Sequence, residues 1–218
     1  MHTTDARHLV MPTAASGALM ALYLLTRPYG DASSATSAQA AAFASGWWVA
    51  AHLAGALALV QLARVGLRID DLLSSTTTRV ARWGGLAGAL LVLPYFGAET
   101  FGLHAIGRAA LSDPSVLSLV DGVRNHPAAL TTFGLGLLLL AVSGVATALA
   151  WQRAVRSGQW SAPGWAAWPL GIAATLVLPQ FYLSPSGRMV FGLAFAGAAA
   201  VLVVAAQRAG APGQVSPR

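Results

Sequence analysis

The sequence has no cysteine and no lysine, and its single glutamate is Glu99. Without cysteine there is no disulfide, no thiolate metal site, no iron–sulfur cluster and no covalently attached haem. Only 9% of residues are charged, against about 25% in a soluble domain, too few to cover a water-facing surface. Acids are scarce: Asp5, Asp31, Asp70, Asp71, Glu99, Asp113 and Asp121, of which Glu99 alone lies inside an apolar run. All thirteen basic residues are arginine, and with abundant alanine and glycine this is the codon signature of a GC-rich bacterial genome.

What is abundant is apolar. Hydrophobic residues make up 56% of the chain and the mean hydropathy is +0.63. A spanning helix needs about 20 mostly apolar residues. Six stretches qualify, roughly 9–26, 46–64, 83–106, 128–151, 164–183 and 188–207. The expected fold is therefore an all-α, polytopic transmembrane bundle of six helices, a single domain over 1–208 with a disordered tail at 209–218. The first stretch follows Arg7 and resembles a signal peptide, but its apolar run is long for one, and it is kept as a helix. No internal repeat and no second soluble domain are evident.

The net charge of +6 invites a nucleic-acid reading. The arginines form no basic face and no groove interleaved with aromatics, so that partner is excluded. They flank apolar stretches, as membrane insertion requires. Nine fall on the side holding both termini and the connectors 65–82 and 152–163, and four on the other: Arg27, Arg108, Arg124 and Arg188. Arginine-rich short loops stay inside, which places both termini in the cytoplasm of a bacterial inner membrane protein. The 27–45 stretch is expected as an external loop. The 107–127 connector hints at a short interfacial helix through Leu111, Val116, Leu119 and Val123.

The third stretch carries the chemistry. A carboxyl group at membrane depth is expensive and reads as functional by default. Tyr95 lies one helical turn before Glu99 on the same face. Pro94 removes an amide donor and frees a carbonyl, which suits a kink beside a pocket. Depth matching between antiparallel helices sets Glu99 opposite His52. His104 and His126 lie nearer the outer interface. Polar residues concentrate in the outer half, so a cavity is expected there, lined by Trp48, Phe96, Phe101, His104, Phe133, Gln180 and Tyr182.

Metal binding would have to use His52, Glu99, His104 and His126, but Glu99 and His104 are five apart and leave a common helix face. Bis-histidine haem would rest on His52 and His126 alone, with no second pair. Neither a metal nor a cofactor is implied. A buried, neutral carboxyl poised to donate a proton fits the pattern better. A near-isosteric Glu99→Gln should then abolish turnover while changing stability by less than about 1 kcal/mol.

In its layout the sequence resembles the small integral membrane terpene cyclases of meroterpenoid pathways: a chain of this length, almost wholly transmembrane, aromatic-rich, with an acid inside a helix. The resemblance implies proton-initiated cyclisation of a prenyl chain on a lipophilic substrate, with Glu99 as the acid and Tyr95 and His52 as its tuning partners. The sequence departs from that family in showing six helices where fungal members show seven. It also lacks a second helix-borne acid. The alternatives are a transporter subunit, a small-lipid binder, or a b-type haem or quinone protein.

Overall fold

A computed structural model describes residues 5–209. Among these the protein has helices and no strands, and five helices are long and apolar enough to cross a membrane: Ala6–Thr26, Gly46–Leu73, Thr76–Ala110, Pro127–Arg156 and Pro185–Ala209. Large apolar side chains also point outward, among them Met11, Leu57, Leu90, Leu138 and Val190. A bundle that is apolar on its outer face as well as its core suits lipid as solvent.

In chain order α1 is Val10–Thr26, α2 Thr36–Ala44, α3 Gly46–Leu73 and α4 Thr76–Gly97. A wide π-turn, Ala98–Gly102, joins α4 to α5 (Leu103–Ala110). Then come α6 (Leu119–Arg124), α7 (Pro127–Arg156), α8 (Trp168–Thr175) and α9 (Pro185–Ala209). Each of α1, α3, α4, α7 and α8 packs on the next of these, α8 on α9, and α9 on α1, which closes a ring.

Three sequence expectations are corrected. The stretch 164–183 is not one helix: regular helix is confined to α8, and a 3-10 turn, Pro179–Tyr182, ends the stretch. Pro179 has no amide to donate, so the α-helical ladder cannot run through it. The stretch still follows α7 antiparallel along its length. Trp151 Nε1 donates to the Pro163 carbonyl at 3.0 Å near one end, and the Phe133 and Phe181 rings lie 5.5 Å apart near the other.

The connector expected at 65–82 shrinks to Ser74 and Ser75. Its polar residues satisfy one another instead of ending the helices early. Thr78 Oγ1 donates to Asp70 at 2.6 Å, Arg82 pairs with Asp70 and Asp71, and Ser75 and Thr78 form a capping box. Ser74 takes the left-handed conformation that closes α3. The external loop expected at 27–45 contains a 3-10 turn, Tyr29–Ala32, and α2. The tail expected to be disordered lies outside the described residues, except that Ala209 closes α9.

Close approach of helices depends on small residues. A Cβ on Gly88 would sit 2.7 Å from the Gly136 carbonyl, and one on Gly136 would sit 2.8 Å from that of Gly88. Beyond the end of the bundle, α2, α5 and α6 form a roof around Phe43, Trp48 and Leu103. His104 Nδ1 donates to the Phe43 carbonyl at 2.8 Å and ties α5 to α2. That roof positions the site.

Candidate functional site

Glu99 lies in the π-turn and is 6% exposed. Wide turns of this kind are uncommon and frequent at functional sites. Arg124, at the end of α6, grips its carboxylate with two hydrogen bonds: Nε to Oε1 at 2.8 Å and Nη2 to Oε2 at 3.2 Å. The same Nη2 donates to Asp31 Oδ2 at 2.9 Å, and Arg27 Nη2 reaches that oxygen at 2.5 Å. The outcome is a chain of alternating charge, Glu99–Arg124–Asp31–Arg27. Its two arginines also stand over aromatic rings, Arg27 5.1 Å from the Trp48 centroid and Arg124 5.1 Å from that of Phe43.

Burial on its own would lower the Arg124 guanidinium, but Glu99 and then Asp31 more than offset it and hold it above the ordinary arginine value. Arg27 is likewise raised, with burial opposed by Tyr23 and Asp31. Burial pushes the Tyr29 phenol up to about 12. Its hydroxyl donates to the Leu24 carbonyl at 2.7 Å.

The structure brings His52 to Glu99, with Nε2 3.8 Å from Oε2, which is proximity without a hydrogen bond. His52 Nδ1 lies 2.7 Å from the Trp48 carbonyl. A carbonyl only accepts, so this nitrogen carries the proton by assignment. Trp48 Nε1 in turn donates to the Glu99 carbonyl at 2.7 Å. His52 and Trp48 therefore brace the π-turn from α3.

A cavity of about 660 Å³ opens beside this chain, within the roughly 300–1,000 Å³ range of small-molecule sites. Its lining is part charged, with Arg27, Asp31, Glu99, Arg124 and Arg188, and part aromatic, with Tyr23, Tyr95, Phe96, Phe133 and Phe181. The Tyr95 ring stacks on Phe133 at 4.3 Å.

Of the residues expected from sequence, Glu99, His52, Tyr95, Phe96, Phe133 and Tyr182 line this cavity. Trp48 supports it from behind. Phe101, His104 and Gln180 do not line it. Phe101 is 59% exposed, because two residues beyond Glu99 the helix has turned its side chain away. His104 is spent on the roof. Gln180 is 2% exposed and its Oε1 has no hydrogen-bond partner among the described residues. His126 is exposed at the start of α7, so it does not join His52. Among the described residues no three of His, Cys, Asp and Glu converge as a metal would need.

Sequence reasoning missed Tyr23, Arg27, Asp31, Arg124 and Arg188. A signal was available: three of the four arginines on the arginine-poor side are these three. Comparisons with family models, with curated proteins and with solved structures found no match.

Both carboxylate oxygens of Glu99 accept from the Arg124 guanidinium, which makes the pair a clamp. A proton-donating role would require that grip to open.

Proposed function

We propose that the protein is a six-crossing membrane protein that takes a lipophilic small molecule into this cavity, a binder of a small amphiphile in a bacterial cytoplasmic membrane. The observation that carries the reading is a cavity lined both by aromatic rings and by the paired charges Glu99, Arg124, Asp31 and Arg27. An apolar body gains by burial against rings, and fixed charges orient a polar end without reorganising. Transport suits the site less well, because polar groups do not continue as a path through the inner half.

Proton-initiated cyclisation of a prenyl chain is the enzymatic form of the same proposal. It would use the same aromatic lining and a proton on Glu99. The pairing of Glu99 with Arg124 favours binding over that chemistry.

The binding reading is tested by native mass spectrometry of the detergent-purified protein. One small amphiphile per chain is expected as a mass adduct. Phe133→Trp, which enlarges a ring of the aromatic lining, should remove it. An absence of adduct, or adducts unchanged by Phe133→Trp, would sink the reading.

The six crossings combine the five long helices with the broken stretch beside α7, and nine arginines against four put both termini in the cytoplasm. Single cysteines in this cysteine-free chain test it. Cysteine at Ser34 or Ser118 should react with an impermeant maleimide added to intact cells, and at Ser157 it should not. The reverse pattern would invert the orientation.

A further inference from the structure

The lining of the cavity is not electrically balanced. Three arginines, Arg27, Arg124 and Arg188, face two carboxylates, Asp31 and Glu99. Both carboxylates are already engaged. Glu99 is taken up by Arg124, and Asp31 Oδ2 accepts from both Arg124 and Arg27. Arg188 has no carboxylate within ion-pair distance among the described residues; it donates only to the backbone carbonyls of Leu183, at 3.2 Å, and Phe181. Arg27, 8% exposed, has a buried Nε with no hydrogen-bond acceptor among the described residues.

Resting on the binding reading above, we propose that the occupant is an anionic amphiphile whose carboxylate or phosphate group is held between Arg27 and Arg188, with its apolar body against Phe96, Phe133 and Phe181. One negative charge neutralises the lining and gives the Arg188 guanidinium the anionic partner it lacks among the described residues. Guanidinium groups suit both carboxylate and phosphate because their N–H groups diverge in a fork that matches two oxygens. A cationic head would add to the excess of positive charge, and a neutral hydroxyl would leave it standing. The aromatic lining requires the anion to carry an apolar body. A small ion on its own would leave most of the cavity unfilled.

The test uses the full-length protein, stripped of lipid in a neutral maltoside detergent. Four single-chain amphiphiles of equal chain length are compared, bearing carboxylate, phosphate, hydroxyl or trimethylammonium heads. Acetate and inorganic phosphate serve as heads without a body, and binding is read as the concentration that raises the thermal midpoint. The carboxylate or phosphate amphiphile should act at concentrations at least tenfold below the hydroxyl compound, and the ammonium compound should give no shift. Arg188→Gln should narrow the anion-over-hydroxyl ratio by about tenfold, a comparison within one variant that does not depend on its overall stability.

Equal action of the hydroxyl or ammonium heads would overturn the anion assignment while leaving the cavity reading intact. Failure of all four amphiphiles would overturn both. Acetate or inorganic phosphate acting as strongly as the matching amphiphile would mean that the aromatic lining takes no part. An undiminished anion preference in Arg188→Gln would remove Arg188 from the site.

Discussion

Arg124→Leu is expected to destabilise the protein by roughly 3–5 kcal/mol, the cost of removing one partner from a buried ion pair. Among the described residues Arg124 is the one cation within ion-pair distance of both acids of the site, at 2.8 Å from Glu99 and 2.9 Å from Asp31. Their side chains are 8% and 6% exposed, so only what water the cavity admits can stand in for the lost donor. Asp31 keeps Arg27, and the loss falls mainly on Glu99. Arg124→Lys restores the charge but not the two-pronged geometry, and should recover only part of it. Removing both partners, Glu99→Leu with Arg124→Leu, should recover most of it, because the cost lies in an uncompensated charge. Chemical or thermal unfolding in detergent measures all three. A loss below about 1 kcal/mol in Arg124→Leu, the range of surface ion pairs, would show that the chain of charges does not organise the site. The same logic revises the expectation for Glu99→Gln. An amide cannot accept at both positions from Arg124, so its stability should fall by more than the 1 kcal/mol a near-isostere would suggest. The cyclase form of the proposal stands or falls on whether this variant turns over a prenylated aromatic substrate in membranes.

Gly88→Val should be as damaging by a different route. The added Cβ meets the Gly136 carbonyl at 2.7 Å and the Leu140 backbone nitrogen at 2.9 Å. Backbone atoms of a facing helix cannot swing aside as a side-chain tip can, so α4 and α7 must separate. The expected cost lies at or beyond the upper end of the roughly 1–3 kcal/mol of overpacking, read as a lowered unfolding midpoint and loss of monodispersity on size exclusion. Gly97, also in α4, is the control. No atom lies within 4 Å of a Cβ placed there, and Gly97→Ala should raise stability by about 0.5–1 kcal/mol through helix propensity. Similar behaviour of the two variants would mean that α4 and α7 do not meet at backbone contact.

The long helices were legible in the sequence because each carries an uninterrupted apolar run. Their ends were less so. Hydropathy treats Asp70, Arg82 and Thr78 as loop residues, whereas the fold lets them pair across a two-residue turn. Hydropathy also could not tell the broken stretch around α8 from a straight helix, since proline interrupts hydrogen bonding without reducing apolar character. Glu99 stood out as a lone glutamate in an apolar run, and His52 could be matched to it by depth along antiparallel helices. Arg124 could not. It sits in what reads as a surface connector, and only the packing of α2, α5 and α6 brings that connector inward over the site. Asp31 was hidden for the same reason.

The buried face of the α4–α5 rod runs Gly85, Gly88, Val92, Phe96, Glu99, Leu103, Gly107 and Ala110, three or four residues apart as on one side of a helix. The wide turn at Ala98–Gly102 is a π-turn, wider than a regular helical turn, so its length sets the rotation of everything beyond it. An insertion or deletion in an ordinary connector is absorbed where it occurs. A deletion of one residue between 98 and 102 would rotate everything out to Ala110, turning Gly107 away from Phe43 and the Glu99 carbonyl away from Trp48. Length is as constrained there as residue identity is at Glu99 itself.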